Sequence, residues 1–73
     1  MPQPLLTQHV KERMELRGIT EDQIFKALAR EIRRRPGSSG KICVFGIVPG
    51  GRILKVVLTH DSTQIITAAW PDE

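Results

Sequence analysis

The chain has 73 residues, 40% of them hydrophobic and 26% charged, and its eleven Lys and Arg against eight Asp and Glu leave a formal charge of +3. That length holds one small domain with a single core, because a chain of about this size buries only about 60% of its unfolded surface. A membrane span is excluded, since no apolar run approaches the roughly 18 residues one needs. The start MPQPLLTQHVKE lacks the basic and apolar regions of a signal peptide, so no export signal is expected in these residues. A lone cysteine, Cys43, forms neither an internal disulfide nor a zinc site of the usual spacing; in the apolar run ICVFGIV it reads as a buried structural thiol.

The first predicted element is a helix over 8–17. Thr7 suits its N-cap, Leu6, Val10 and Met14 make an i, i+4 apolar stripe, and Gly18 stands where a C′ glycine would. Thr20 and Gln23 have the spacing of a capping box, with Ile19 and Ile24 as its hydrophobic staple. They open a second helix from 21 to about 30 that turns Ile24, Phe25 and Leu28 inward. Residues 31–35 read as a frayed helix end or a short polar edge strand, the strand being preferred, and Pro36-Gly37-Ser38-Ser39-Gly40 as a turn. KICVFGIV at 41–48, RILKVVLT at 52–59 and QIITAAW at 64–70 are strands, separated by Pro49-Gly50-Gly51 and by His60-Asp61-Ser62-Thr63. The expected fold class is α+β, with two N-terminal helices packed on one face of an antiparallel meander sheet of three or four strands.

Helix 1 also carries His9, Arg13 and Arg17 at four-residue spacing, a polar ridge one position behind the apolar stripe. An imidazole flanked by guanidiniums suits phosphoryl chemistry. In RNA cleavage the 2′-OH attacks the adjacent phosphate, a His moves the proton, and Arg holds the extra negative charge; that route requires no metal or other cofactor. The ridge has a plainer reading as well, with His9 a structural residue near the cap and the two arginines paired with Glu12 and Glu15.

The densest cationic cluster is Arg30, Arg33, Arg34 and Arg35, with Lys41 beyond the turn. It fits an RNA phosphate track or an acidic protein partner, and equally a solvated edge whose charges discourage sheet-to-sheet pairing. His60 sits in a turn where hydrogen bonding to the local backbone is expected. Strict alternation puts Thr67 on one face with Ile65 and Ala69, and Ile66, Ala68 and Trp70 on the other, without saying which is buried. Trp70 reads as core, and with aromatics at 4% and no tyrosine an aromatic platform for single strands is not expected. No Walker or Rossmann glycine loop, H-E-x-x-H, nucleophile elbow or acidic pair suited to Mg²⁺ is present.

The order T-x-H-x-x-x-R-M-x-x-R-G-I-T at 7–20, a helix, a Gly-containing strand, RILKVVLT and QIITAAW resembles domain of unknown function 4258, a family of small bacterial domains. The likeness spans nearly the whole chain. Its most specific parts are His9, Arg13, Arg17 and Gly18, together with Ile66-Thr67-Ala68. That family is similar to the barnase/EndoU/colicin/RelE superfamily, which packs helices on a curved antiparallel sheet and includes metal-independent RNase toxins. The resemblance implies His9 as general acid or base, Arg13 and Arg17 as phosphate ligands, and Thr67 as a ligand from the last strand. It further implies action on tRNA or another structured RNA in the bacterial cytoplasm, either as a stand-alone toxin or as the C-terminal domain of a contact-dependent inhibition protein. An acidic immunity or antitoxin protein is the implied partner. The competing expectation is a non-catalytic basic module that binds nucleic acid or an acidic protein.

Overall fold

A computed structural model describes residues 4–71. In chain order the elements are β1 (Leu5–Leu6), α1 (Gln8–Arg17), α2 (Glu21–Ala29), β2 (Glu31–Pro36), a short 3-10 turn (Ser38–Gly40), β3 (Ile42–Ile47), β4 (Ile53–Leu58) and β5 (Gln64–Ala69). The fold is α+β, as expected; both helices form where the sequence patterns put them, and the edge strand preferred for 31–35 forms and takes in Pro36 as well.

Capping chemistry sets the helix ends. Thr7 Oγ1 accepts from the Val10 N–H at 3.2 Å and donates to the Ile65 carbonyl at 2.8 Å, so one hydroxyl both starts α1 and ties it to β5. Gly18 ends the helix in the left-handed region, at φ 66°, where a side chain is disfavoured. The Thr20–Gln23 capping box is complete: Thr20 Oγ1 accepts from the Gln23 N–H at 3.1 Å and Gln23 Oε1 from the Thr20 N–H at 2.9 Å. Ile19 and Ile24, on either side of it, are both buried in the core.

The sheet has the order β1-β5-β4-β3-β2: β2 to β5 form the expected antiparallel meander, and one strand is added to it. Leu5 and Leu6 add a fifth strand, parallel to β5, paired to Gln64 and Ile65. Two residues are too few for an alternation pattern, which is why this strand escapes a sequence reading. β1 also explains the position of α1, which leaves the sheet edge directly and packs back over β5.

Register divides the sheet into two faces. Arg34, Val44, Val56 and Ala68 lie in one cross-strand row on the helix side, where Val44, Val56 and Ala68 join Val10, Ile24, Ala27, Leu54, Ile65 and Trp70 in the core. The other face carries the rows Arg35–Cys43–Val57–Thr67 and Arg33–Phe45–Lys55–Ala69, and no described element covers it. Strict alternation fails in β5. Val57 pairs with Thr67 but Leu58 with Ile65, so Ile66 is an extra residue in a bulge. Ile65 and Ala68 therefore both face the core, while Thr67 takes the open side with Ala69 and apart from Ile65. The expected grouping of Thr67 with Ile65 is thus corrected.

Close approach of α2 to β3 depends on Gly46. A methyl group built there would fall inside the contact distance of the Ala27 carbonyl, and both residues are buried. The helix backbone consequently rests on the strand, which brings Ile24 and Ala27 against Val44 and Leu54 in one apolar cluster.

Candidate functional site

Three of the sequence candidates stand together on one flank of α1. His9 is exposed, Arg13 half-buried and Arg17 exposed. Lys11, about 160° round the helix from Arg13, lines a surface groove with Leu5, Leu6, Glu21 and Phe25, so the His9–Arg13 flank looks away from α2. The C-terminal end of this flank, at Arg17, meets the edge of β5 beyond Ile65, where the pairing with β1 stops. There the Arg17 guanidinium donates from Nη1 to the Ala68 carbonyl at 2.8 Å, and the Trp70 indole N–H donates to the Arg17 carbonyl at 2.9 Å. Neither Arg13 nor Arg17 forms an ion pair with Glu12 or Glu15, so the plainer reading of the ridge as intrahelical pairs is not realised.

Thr67 is not on this side. It is half-buried on the uncovered face, beside Val57 in the register, so β5 separates it from the α1 flank. The Arg17–Ala68 bond links the two faces at the strand edge, one residue from Thr67.

The basic run is divided in a similar way. Arg30 is the C-cap of α2, its N–H bonded to the Lys26 and Ala27 carbonyls and its own carbonyl to the Ile47 N–H. Arg34 turns to the helix side and makes a two-point bond with Glu31, Nε to Oε2 at 3.0 Å and Nη2 to Oε1 at 2.9 Å. That bond holds the Glu31 carboxyl below its usual range. Arg33 and Arg35 are left on the uncovered face, in register with Phe45 and Cys43, and Lys41 precedes β3 in phase with Cys43. A bulge between Glu31 and Arg33 puts the strand in this phase.

Two residues on that face were not singled out by the sequence, Lys55 and Phe45. Both are half-buried, paired to each other across β3 and β4, and Phe45 stands outside the core cluster. Within RILKVVLT, Lys55 is the one charge that interrupts an apolar strand, and that was the available signal. Cys43 is likewise half-buried and free on the open face, where a fully buried thiol was expected. No carboxylate occupies a paired position on this face among the described residues, so its cations are not neutralised locally.

The hairpin between β4 and β5 is organised by Asp61 and not by His60, which is exposed. Asp61 Oδ1 accepts from Thr59 Oγ1 at 2.9 Å, Thr63 Oγ1 at 2.7 Å and the Thr63 N–H at 3.2 Å. Those donors, the Thr63 hydroxyl foremost, hold its carboxyl below the ordinary Asp range.

Among the described residues no group of three or more His, Cys, Asp or Glu is arranged to hold a metal ion, and no helix is long and apolar enough to cross a membrane. The family model that matches the chain is described as domain of unknown function (DUF4258), and it spans residues 6–70. That span takes in α1, the basic strand, the open face and Trp70. No curated protein and no solved structure matches the chain.

Proposed function

The chain belongs to the domain of unknown function (DUF4258) family, and from the chemistry of its α1 flank we propose that it is a metal-independent ribonuclease of the toxin kind. The observation that carries this reading is an imidazole and a guanidinium, His9 and Arg13, one helical turn apart on a flank facing away from α2, with Arg13 unpaired to either glutamate of the same helix. Buried or neutralised, such a pair would have no phosphate to meet. Set at the border between helix and sheet edge, it can bracket one.

In this reaction His9 takes the proton from a ribose 2′-OH as its oxygen attacks the adjacent phosphorus. The bond to the 5′-oxygen breaks, and that oxygen receives a proton, leaving a 2′,3′-cyclic phosphate and a 5′-hydroxyl. Arg13 holds the non-bridging oxygens as their charge grows. Arg17, bonded to Ala68, is a positioning residue that fixes α1 against the strand edge. Thr67, Arg33, Arg35 and Lys41 guide the substrate across the open face. The site of action is the bacterial cytoplasm, with tRNA or another structured RNA as target. Delivery is by a larger contact-dependent inhibition protein or within a toxin–antitoxin pair. An acidic immunity or antitoxin protein would cover the same cations, whose charge would speed its association.

The test is to incubate the domain with total bacterial RNA in excess EDTA beside His9→Ala and to map new ends. Discrete cuts with cyclic phosphate ends that vanish in the variant support the reading; cuts that persist remove His9 from the mechanism. The second reading, a non-catalytic RNA-binding module, is favoured by the un-neutralised cations of the open face and predicts salt-sensitive binding without scission.

A further inference from the structure

The uncovered sheet face is chemically more specific than a basic patch. Its row Arg33–Phe45–Lys55–Ala69 sets one aromatic residue between two cationic ones, whose Cβ atoms stand about 5 Å from that of Phe45 by ordinary cross-strand spacing. No cation stacks on the Phe45 ring among the described residues; the cation over a ring is Arg52, on Trp70 at 3.9 Å. Neighbouring Val57 is 8% exposed yet lies outside the helix-side core, so it is enclosed by its neighbours on this face. Ile47 and Ile53 pair at its far end, and Ile53 is 40% exposed.

We infer that this face binds an unpaired RNA segment, one base stacked on Phe45 and the flanking phosphates held by Arg33, Arg35 and Lys55. The mixture of groups selects the occupant. A π-face accepts any base, and cations on either side of it match a backbone that passes over the ring. In a duplex the base faces are stacked on one another and presented only edge-on, so a double strand would meet Phe45, Ile47 and Ile53 with phosphate and water. Carboxylates of an acidic protein would satisfy the arginines and leave the ring and its apolar neighbours without a counterpart. The inference rests on the RNA reading above and adds the substrate class: loops, bulges or ends, not paired stems.

The measurement is fluorescence anisotropy with a labelled single-stranded 2′-O-methyl oligonucleotide, which no 2′-OH attack can cut, against a hairpin stem of equal charge and a poly-glutamate peptide. The single strand should bind tightest. Phe45→Ala should weaken it by roughly tenfold or more and Phe45→Trp should restore it, while Lys55→Gln should lower the salt dependence. Circular dichroism melting confirms that each variant is folded. Equal affinity for the stem or the peptide, or unchanged binding by folded Phe45→Ala, overturns the inference. If natural RNA is cut while Phe45→Ala binds as before, the inference fails and the ribonuclease reading survives. If Phe45-dependent binding is found and RNA stays intact, the ribonuclease reading fails and the inference stands.

Discussion

Arg17 and Trp70 hold α1 and the end of β5 together from both sides. The Trp70 indole donates to the Arg17 carbonyl at 2.9 Å, and the Arg17 guanidinium donates to the Ala68 carbonyl at 2.8 Å, two residues before the indole. One bond satisfies a carbonyl in the last turn of the helix and the other a carbonyl on the strand edge, both of which would otherwise rely on water. Arg17→Ala is therefore expected to lower stability by about 1–2 kcal/mol and Trp70→Phe by about 1 kcal/mol, read from urea midpoints. A residue acting only as a phosphate ligand would leave the Arg17→Ala midpoint where the wild type has it.

Thr7 has two simultaneous partners through one hydroxyl, the Val10 N–H and the Ile65 carbonyl. Thr7→Val keeps the shape and removes both, so it should destabilise by roughly 1–2 kcal/mol. Thr7→Ser should hold within a few tenths of a kcal/mol of wild type. Equal losses in the two variants would show that the methyl group, not the hydroxyl, matters. Because α1 carries His9 and Arg13, the Val variant should also lower RNA cleavage more than oligonucleotide binding to the open face.

At Gly46 the backbone of α2 leaves no room for a Cβ, and the obstacle is the Ala27 main chain, which cannot rotate away. Gly46→Ala is expected to cost on the order of 3 kcal/mol, a large part of the stability of a domain this small. Gly50, with φ 99° and open space around its Cβ position, gives the contrast: Gly50→Ala should strain only the turn, by about 1 kcal/mol. A Gly46→Ala melting temperature no lower than that of Gly50→Ala would contradict the close approach.

Local signals carried most of the fold. Caps at Thr7 and Thr20, the stop at Gly18 and the apolar β-branched runs each act within a few residues, so both helices and four of the five strands are legible in the chain. What was not legible depends on pairing between distant segments. The two-residue β1 exists because Leu5 and Leu6 meet Gln64 and Ile65. The phase of Thr67 depends on a bulge at Ile66 that shows only against β4, and the separation of Arg34 from Arg33 and Arg35 depends on a second bulge against β3. The candidate site suffered most. The α1 ridge is local and was read directly, whereas the partnership of Phe45 with Arg33 and Lys55 is a property of three strands in register.

Acid should loosen the β4–β5 hairpin through Asp61. Its carboxyl accepts from two hydroxyls and one backbone N–H, and those donors favour the charged form, so its folded pKa lies below the unfolded one. In the window between the two values the unfolded chain binds more protons, and stability rises with pH. The contribution is thus complete above the ordinary Asp range and is lost as pH falls through the depressed folded value. Glu31, held low by Arg34, acts in the same sense in its own window, so the two need separate variants. Asp61→Asn keeps one acceptor oxygen but has no proton to take up; relative to wild type it should be less stable near neutral pH, and the gap should narrow as the pH falls below the ordinary Asp range. Glu31→Gln should narrow its own gap in the same direction. Urea midpoints at neutral and acid pH measure both, and a wild-type advantage over Asp61→Asn that does not change with pH would mean that the turn depends on the geometry of residue 61 and not on its charge.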